Sequence, residues 1–95
     1  MSERYDQSTV EQALTGLEGW SGDTTGLSKT FRFDDFAAAI AFMQRAAGPI
    51  DEMDHHPEWT NVYDRVEVRL VSHDVDGVSD RDVRLAGLLD DLARA

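Results

Sequence analysis

The three histidines are the residues of this chain best suited to proton chemistry, because an unperturbed imidazole titrates near pH 6.5 and can give or accept a proton near neutrality. His55 and His56 are adjacent and precede Pro57, whereas His73 lies further along the chain. Adjacent side chains cannot share a direction on a strand or a helix, but Pro57 disfavours helical geometry at His56. An irregular turn is therefore needed to bring both into one pocket. The alternatives are a solvated turn for the pair and a surface position at a strand end for His73.

Carboxylates and aromatic side chains surround these histidines in the sequence. An acidic residue just before the pair would orient an imidazole, unless this segment is only an exposed helix end; the residues are Asp51, Glu52 and Asp54. Asp82 stands at the third position of a predicted helix, where a carboxylate also favours the start of the helix. Trp59 and Tyr63 are either stacking surfaces for a flat heterocycle or aromatic residues that fill a sheet.

Several common kinds of site are absent from the sequence. There is no glycine-rich nucleotide loop, no HExxH motif and no G-x-S-x-G elbow. The chain has no cysteine, which excludes disulfides, cysteine-zinc sites and thiol catalysis. A metal site built from three histidines and a carboxylate remains as an alternative to acid–base catalysis.

Length and charge narrow the classes of protein further. The chain has 95 residues and a formal charge of −10, which predicts one domain over residues 1–95 and argues against nucleic acid or anionic membranes as partners. A chain this short buries only about 60–65% of its unfolded surface, so association with further copies would add buried area. No apolar run approaches the roughly 20 residues that span a bilayer, and the first residues lack a signal-peptide core. We expect a soluble, cytoplasmic protein.

The elements that must position the histidines follow from hydrophobic periodicity. A capping box at Ser8 and Glu11 predicts the start of a first helix, and Gly19 predicts its end. A weak strand then begins at Trp20. Residues 27–33 alternate between apolar and polar side chains, which is typical of a half-buried strand in which Lys29 is an exception at the outer end.

The second half of the chain repeats this order of helix and strands. Asp34 or Asp35 caps a second helix, for which we predict an apolar stripe made by Phe36, Ile40, Met43, Ala47 and Ile50. Gly48-Pro49 predicts a kink or break in this helix. Residues 59–63 and 65–71 are predicted strands joined by a turn near Asp64.

The last predicted helix follows Ser79 and has a leucine stripe at residues 85, 88, 89 and 92. Three amphipathic helices and four strands in the order α-β-β-α-β-β-α predict an α+β fold, a two-layer sandwich with the helices on one face of the sheet. The other face remains for solvent or a partner, and Arg65, Glu67 and Arg69 are candidate contacts there.

The spacing of the site residues resembles the signature of the pterin-4a-carbinolamine dehydratases. That signature has an acidic residue separated by three residues from His-His-Pro, an aromatic residue six beyond the proline, a histidine ten further on and an aspartate nine beyond that. The corresponding residues are Asp51, His55, His56, Pro57, Tyr63, His73 and Asp82. Upstream residues also match, among them Gly19-Trp20, Phe31-Arg32-Phe33, Phe36 and Phe42-Met43. The similarity runs from about Leu14 to Leu89.

The resemblance implies a fold, a reaction and roles for these residues. It implies a four-stranded antiparallel sheet with three helices on one side, in a homodimer or homotetramer, and loss of water from 4a-hydroxytetrahydropterin to give quinonoid dihydropterin, without a metal or an organic cofactor. His55, His56 and His73 would line the pocket. Our hypothesis is that His56 and His73 carry the protons and that His55 binds the pterin.

The resemblance also assigns supporting roles and leaves one rival function. Asp51 and Asp82 would orient imidazoles or bind the pyrimidine edge of the pterin, and Trp59 would form or support the pocket wall. Gly48-Pro49 departs from the family, as does Ser72, where threonine is common. Animal relatives also bind a homeodomain transcription factor, so the alternative to catalysis is an interaction or pterin-binding module on the same fold.

Overall fold

The computed structural model describes residues 3–94, which form three α-helices and four β-strands. In chain order these elements are α1 (Gln7–Leu14), β1 (Ser21–Asp23), β2 (Gly26–Arg32), α2 (Phe36–Met53), β3 (Glu58–Val62), β4 (Arg65–Leu70) and α3 (Asp80–Arg94). A short 3-10 helix spans His73–Val75 between β4 and α3. Met1, Ser2 and Ala95, which belong to the predicted domain, lie outside the described residues.

The four strands form one antiparallel sheet in the spatial order β1-β2-β4-β3. Strand β4 is central, and its side chains alternate as predicted: Val66, Val68 and Leu70 are buried, whereas Glu67 and Arg69 are exposed. One face of the sheet therefore carries the core and the other is open. The α+β fold and the element order predicted from the sequence are confirmed.

Helix α2 packs on the sheet through a face that only partly coincides with the predicted one, because the two share Ile50 and Met43 is partly buried. Its buried residues are Ala39, Phe42, Ala46 and Ile50, whereas Phe36 and Ile40 are 51% and 38% exposed. Both stripes have helical spacing, so the pattern alone did not separate them. Phe42 decides the orientation, because its ring lies 5.1 Å from that of Phe31 and 5.0 Å from that of Phe33, and the two alanines let the helix approach the sheet.

The predicted break at Gly48-Pro49 is wrong. Helix α2 continues through Pro49 to Met53 and ends at Asp54, which adopts a left-handed conformation with φ of 52°. Proline removes a backbone hydrogen bond and crowds the carbonyl four residues earlier, but the neighbouring Ile50 is buried in the core and holds this turn against the sheet. The last turn therefore remains helical, and it carries Asp51 up to the loop that contains His55.

Helix α1 begins and ends earlier than predicted. Asp6 caps it, not Ser8, because the Asp6 carboxylate accepts hydrogen bonds from the backbone N–H and the hydroxyl of Thr9 at 2.8 and 2.7 Å. These bonds hold the pKa of Asp6 below its usual range. The helix ends at Leu14, and Gly19 lies in the following turn with φ of 84°.

Lys29 lies on the inner face of β2 and is not an exception at its outer end. Its ammonium group donates to Asp90 at 2.7 Å and lies 4.7 Å from the centroid of the Phe31 ring. Asp90 also accepts from the indole N–H of Trp20 at 3.0 Å. A half-buried charge on the core face is thus paired, which is the condition for tolerating it there.

The strand boundaries lie within one residue of those predicted, so Tyr63, predicted as the end of a strand, falls in the turn. Tyr63 and Asp64 form the turn between β3 and β4, and Tyr63 has φ of 51°. Asp35 caps α2 by accepting from the N–H of Ala38 at 2.8 Å. Within residues 3–94, no helix combines the length and apolar character needed to cross a membrane.

Candidate active site

His55 lies in the loop between α2 and β3 and is the buried member of the three histidines. It is 8% exposed, and Asp82 in the first turn of α3 is 0% exposed. The His55 Nε2 atom lies 2.7 Å from Oδ1 of Asp82. The fold therefore joins the two site residues across 27 positions of sequence, away from water.

The second oxygen of Asp82 accepts two further hydrogen bonds. The backbone N–H of Ser79 donates to Oδ2 at 2.9 Å, and the hydroxyl of Ser72 donates to the same atom at 2.8 Å. The first of these is the backbone half of the capping box predicted at the start of α3. Asp82 thus caps its helix with one oxygen and orients His55 with the other.

The direction of each hydrogen bond in this cluster follows from counting protons. The Ser72 and Ser79 hydroxyl oxygens are 2.6 Å apart, and Ser72 uses its only proton toward Asp82. Ser79 must therefore donate to Ser72. The Ser79 oxygen in turn accepts from the backbone and side-chain N–H groups of Arg81, each at 3.3 Å. Every donor points toward Asp82, which suits an ionised carboxylate.

The two ring nitrogens of His55 have different environments. Nε2 faces Oδ1 of Asp82, and because an ionised carboxylate can only accept, pairing with it requires the hydrogen on Nε2. Nδ1 has no hydrogen-bond partner among residues 3–94, yet no buried side-chain nitrogen or oxygen in this range lacks one. Nδ1 is therefore the ring nitrogen that reaches solvent.

His56 and His73 also pair with carboxylates, but on the surface. His56 Nε2 lies 2.8 Å from Asp51, with side chains 58% and 77% exposed. His73 Nε2 lies 3.1 Å from Glu58, with side chains 75% and 54% exposed. The second pair joins the start of β3 to the 3-10 helix, so it brings the two histidine-bearing loops side by side.

The loop that carries Ser72 and His73 folds back on itself. Ser72 and Gly77 exchange backbone hydrogen bonds of 2.8 and 3.2 Å. A Cβ atom at Gly77 would lie 2.5 Å from the carbonyl oxygen of Thr24, so only glycine fits. This close approach fixes where Ser72 enters the cluster.

An ion pair fastens the same loop to α3. The Arg81 guanidinium donates to Asp74 at 2.6 Å. This bond holds the pKa of Asp74 below its usual range and raises that of Arg81. A smaller electrostatic contribution from His55 acts on Asp74 in the same direction, which places this ion pair beside the cluster.

The two aromatic candidates lie at different distances from the histidines. Trp59 is partly buried and packs edge-on against Phe42, with ring centroids 6.5 Å apart, so it supports the site from the core side. Tyr63 is 65% exposed in the turn at the far end of β3. Five strand residues separate it from the histidine loop, which is roughly 16 Å. The structure does not bring Tyr63 into the site.

A hollow of about 660 Å³ lies on the open face of the sheet. Its lining includes Glu58, Glu67 and Arg69 but none of the three histidines. It meets the candidate site at Trp59 and at Glu58, whose carboxylate pairs with His73. In one copy of the chain, the enclosed volume and the acid–base groups are therefore adjacent but do not coincide.

Metal binding is not favoured by the placement of the histidines. Across residues 3–94, no three histidine, aspartate or glutamate side chains converge closely enough to hold a metal ion. Each histidine instead has a carboxylate of its own.

Sequence reasoning missed four contributors to the site: Ser72, Ser79, Glu58 and Arg81. Ser79 was recognised only as a helix cap, and Ser72 only as a departure from threonine. The sequence did contain one signal for this cluster, the capping box of Ser79 and Asp82. A carboxylate that binds one backbone N–H through one oxygen still has a second oxygen free for another partner. The partner of that oxygen depends on tertiary structure.

Both the sequence and the fold of this chain are matched by known proteins. Residues 3–92 match the family model described as pterin 4 alpha carbinolamine dehydratase. The chain belongs to this family.

Relatives and solved structures agree with this assignment. A protein of Bordetella avium with the provisional name pterin-4-alpha-carbinolamine dehydratase is 46% identical over 95 residues, covering 98% of this chain and 88% of the relative. One of Opitutus terrae with the same provisional name is 49% identical over 81 residues, covering 84% of each.

Two solved structures resemble the chain to different degrees. The Brucella melitensis structure described as a transcriptional coactivator/pterin dehydratase has a TM-score of 0.92 and 36% identity, covering 96% of this chain and 99% of its own. A pterin dehydratase-like protein described as a RuBisCO assembly factor in the alpha-carboxysome has a TM-score of 0.65 and 24% identity, covering 78% of this chain and 86% of its own. The second likeness concerns the fold alone.

Proposed function

We propose that this chain is a dehydratase that converts 4a-hydroxytetrahydropterin into quinonoid dihydropterin and water. In this step the bond between C4a and the hydroxyl oxygen breaks, and the oxygen gains a proton to leave as water. N5 loses its proton and forms a double bond to C4a. No electrons are transferred, so one general acid and one general base suffice. No cofactor is part of the proposal.

The observation that carries the proposal is the buried pair of His55 and Asp82. A carboxylate that orients an imidazole and stabilises its protonated form is the arrangement used by histidine bases in hydrolases. We assign His55 to accept the N5 proton, which revises the hypothesis that it only binds the pterin. A group buried away from water also keeps its geometry when substrate arrives.

His56 and His73 are assigned to the other side of the reaction. Each pairs through Nε2 with a carboxylate, Asp51 or Glu58, and in the proposal one of the two, as an imidazolium, protonates the leaving hydroxyl. Both side chains are exposed and thus reach a substrate that approaches from solvent. Trp59 is assigned a supporting role behind them.

We also propose that the enzyme acts in the cytoplasm as a homodimer or homotetramer. The support is the exposure of Phe36 and Ile40 on α2 and the separation between the hollow and the histidines within one copy. Light scattering coupled to size-exclusion chromatography measures the mass in solution. A monomer at all concentrations would contradict the oligomer.

An interaction module is the second candidate function. The Brucella melitensis relative is described as a transcriptional coactivator as well as a pterin dehydratase. The exposed Phe36 and Ile40 on α2 would suit a protein partner. A nucleic-acid partner is disfavoured, because the formal charge of this chain is −10. Loss of the histidines abolishes catalysis but spares a module that acts only through its surface.

The experiment that tests the proposal is the dehydration rate of freshly generated 4a-hydroxytetrahydropterin, followed by ultraviolet absorbance. The spontaneous rate in buffer is subtracted, and Gln44→Ala on the exposed face of α2 is the matched control. We expect the wild type and this control to accelerate dehydration equally. A folded wild type that does not exceed the buffer rate would overturn the proposed function and favour the interaction module.

A further inference from the structure

The environment of Asp82 is built to hold its two oxygens in different roles. Oδ2 faces the backbone N–H of Ser79 at 2.9 Å, and a backbone amide can only donate. The hydroxyl of Ser72 is a second donor to Oδ2. It has to donate there, because its own oxygen accepts the hydrogen of the Ser79 hydroxyl. Ser72 and Ser79 are 1% and 0% exposed, so water does not compete for these bonds.

We propose that Ser72 is a positioning residue which, together with Ser79, fixes Asp82 so that His55 is held in its Nε2–H tautomer and Nδ1 is the proton-accepting atom of the site. Ser72 acts on His55 through Asp82. With Oδ2 committed to two donors, Oδ1 is left facing His55 as an acceptor. The ring nitrogen that meets Oδ1 must carry hydrogen, and the lone pair lies on the other nitrogen.

The same geometry predicts what an amide does in place of the carboxylate. In Asp82→Asn the side-chain oxygen must face the N–H of Ser79, since an NH₂ group there would oppose a donor. The NH₂ group then points at Nε2 of His55 and requires it to accept. His55 switches to the Nδ1–H tautomer, and the exposed nitrogen loses its lone pair.

The tautomer is measured by ¹⁵N NMR of histidine-labelled protein at a pH where the imidazole is neutral. Comparison with His55→Gln assigns the His55 signals. In the wild type we expect Nε2 in the protonated, pyrrole-type shift range and Nδ1 in the pyridine-type range, and in Asp82→Asn the reverse. A pyrrole-type Nδ1 in the wild type overturns the inference.

The role of Ser72 is tested by a pair of variants. Ser72→Ala removes one donor to Oδ2 and leaves the Ser79 hydroxyl without its acceptor, so the lock on Asp82 weakens. We expect the ¹⁵N signals of His55 to shift toward a mixture of tautomers and kcat to fall about tenfold with little change in KM. Ser72→Thr restores the hydroxyl and is expected to restore both. Unchanged signals in Ser72→Ala would overturn the positioning role.

The inference gains its catalytic meaning from the proposed function, but its test does not depend on activity. Asp82→Asn is expected to lower kcat by about 10⁴-fold, by analogy with the same change in a serine-protease triad, where it imposes the wrong tautomer. A wild type without dehydratase activity would end the proposed function, while the NMR signals still decide the tautomer. A tautomer switch that leaves kcat unchanged would overturn Nδ1 as the reactive atom.

Discussion

The chain contains three histidine–carboxylate pairs of similar length, and they differ chiefly in burial. His55 and Asp82 are 2.7 Å apart inside the protein, with five further hydrogen-bonding groups of Ser72, Ser79 and Arg81 behind them. The His56 and His73 pairs span 2.8 and 3.1 Å with both members exposed. Identical residue types thus occupy two kinds of environment within one site.

The distance between the two atoms therefore does not determine how much such a pair contributes to stability. An exposed ion pair contributes about 0–1 kcal/mol, because water screens it and both side chains lose conformational freedom. A buried carboxylate must have all of its partners, and removal of one leaves a charge that nothing compensates. The buried pair is therefore part of the fold as well as of the site, whereas the exposed pairs are free to adjust to a substrate.

Removal of one member of the buried pair should have the largest effect on stability. In His55→Ala the Asp82 carboxylate keeps its serine partners but loses the imidazole N–H, and a buried charge that is short of one partner should cost about 3–5 kcal/mol in the free energy of unfolding. The matched change at the surface, His56→Ala, should stay within about 0.5 kcal/mol. Urea denaturation measures both, and equal losses would remove the distinction between the pairs.

A smaller loss is expected from the serine behind Asp82. Ser72→Ala removes a hydroxyl from a buried cluster and should cost about 1–3 kcal/mol, because Ser79 is left with an unsatisfied group. Ser8→Ala, an exposed serine in α1, is the control and should be near neutral. If Ser72→Ala unfolds at the same urea concentration as the control, the hydrogen bonds assigned to Ser72 do not stabilise the protein.

The smallest effect concerns the ion pair that fastens the loop beside the site. Because Arg81 lowers the pKa of Asp74 in the folded protein, this pair stabilises the fold fully above the unfolded pKa of about 3.9. That contribution is lost as pH falls through the lower, folded value. Asp74→Asn should remove this part of the acid dependence, measured as the change in thermal midpoint with pH. A wild type and variant with parallel acid profiles would contradict it.

The parts of the fold that could be predicted from the sequence are those that local patterns determine. The alternation of residues 65–71 and the box at Ser79 and Asp82 each describe a few neighbouring positions, and both were confirmed. The face of α2 could not be predicted, because two stripes with the same spacing compete and the aromatic contacts of Phe42 decide between them. The predicted break at Pro49 was wrong for a related reason, because the packing of α2 on the core outweighs the local cost of a proline in the helix.

The candidate site, like the fold, could be predicted from the sequence only in part. The spacing of the histidines in the sequence suggested which residues take part, but not which carboxylate each histidine meets. Asp51 was one of three acidic residues predicted to orient an imidazole, and the structure pairs it with His56. The bond between His55 and Asp82, and its support by Ser72, join residues from three separate segments, so only tertiary structure places them together.

The most direct test of the account compares the dehydration rates of His55→Gln, His56→Gln and His73→Gln, each with its fold checked by circular dichroism. A general base contributes about 10²–10⁴-fold, so His55→Gln should lose at least 10²-fold in kcat. The exposed histidines share one role and should each lose about tenfold, since general acid catalysis by one remains when the other is absent. A His55→Gln variant that retains wild-type kcat, while His56→Gln or His73→Gln loses it, would contradict the central role of the buried pair.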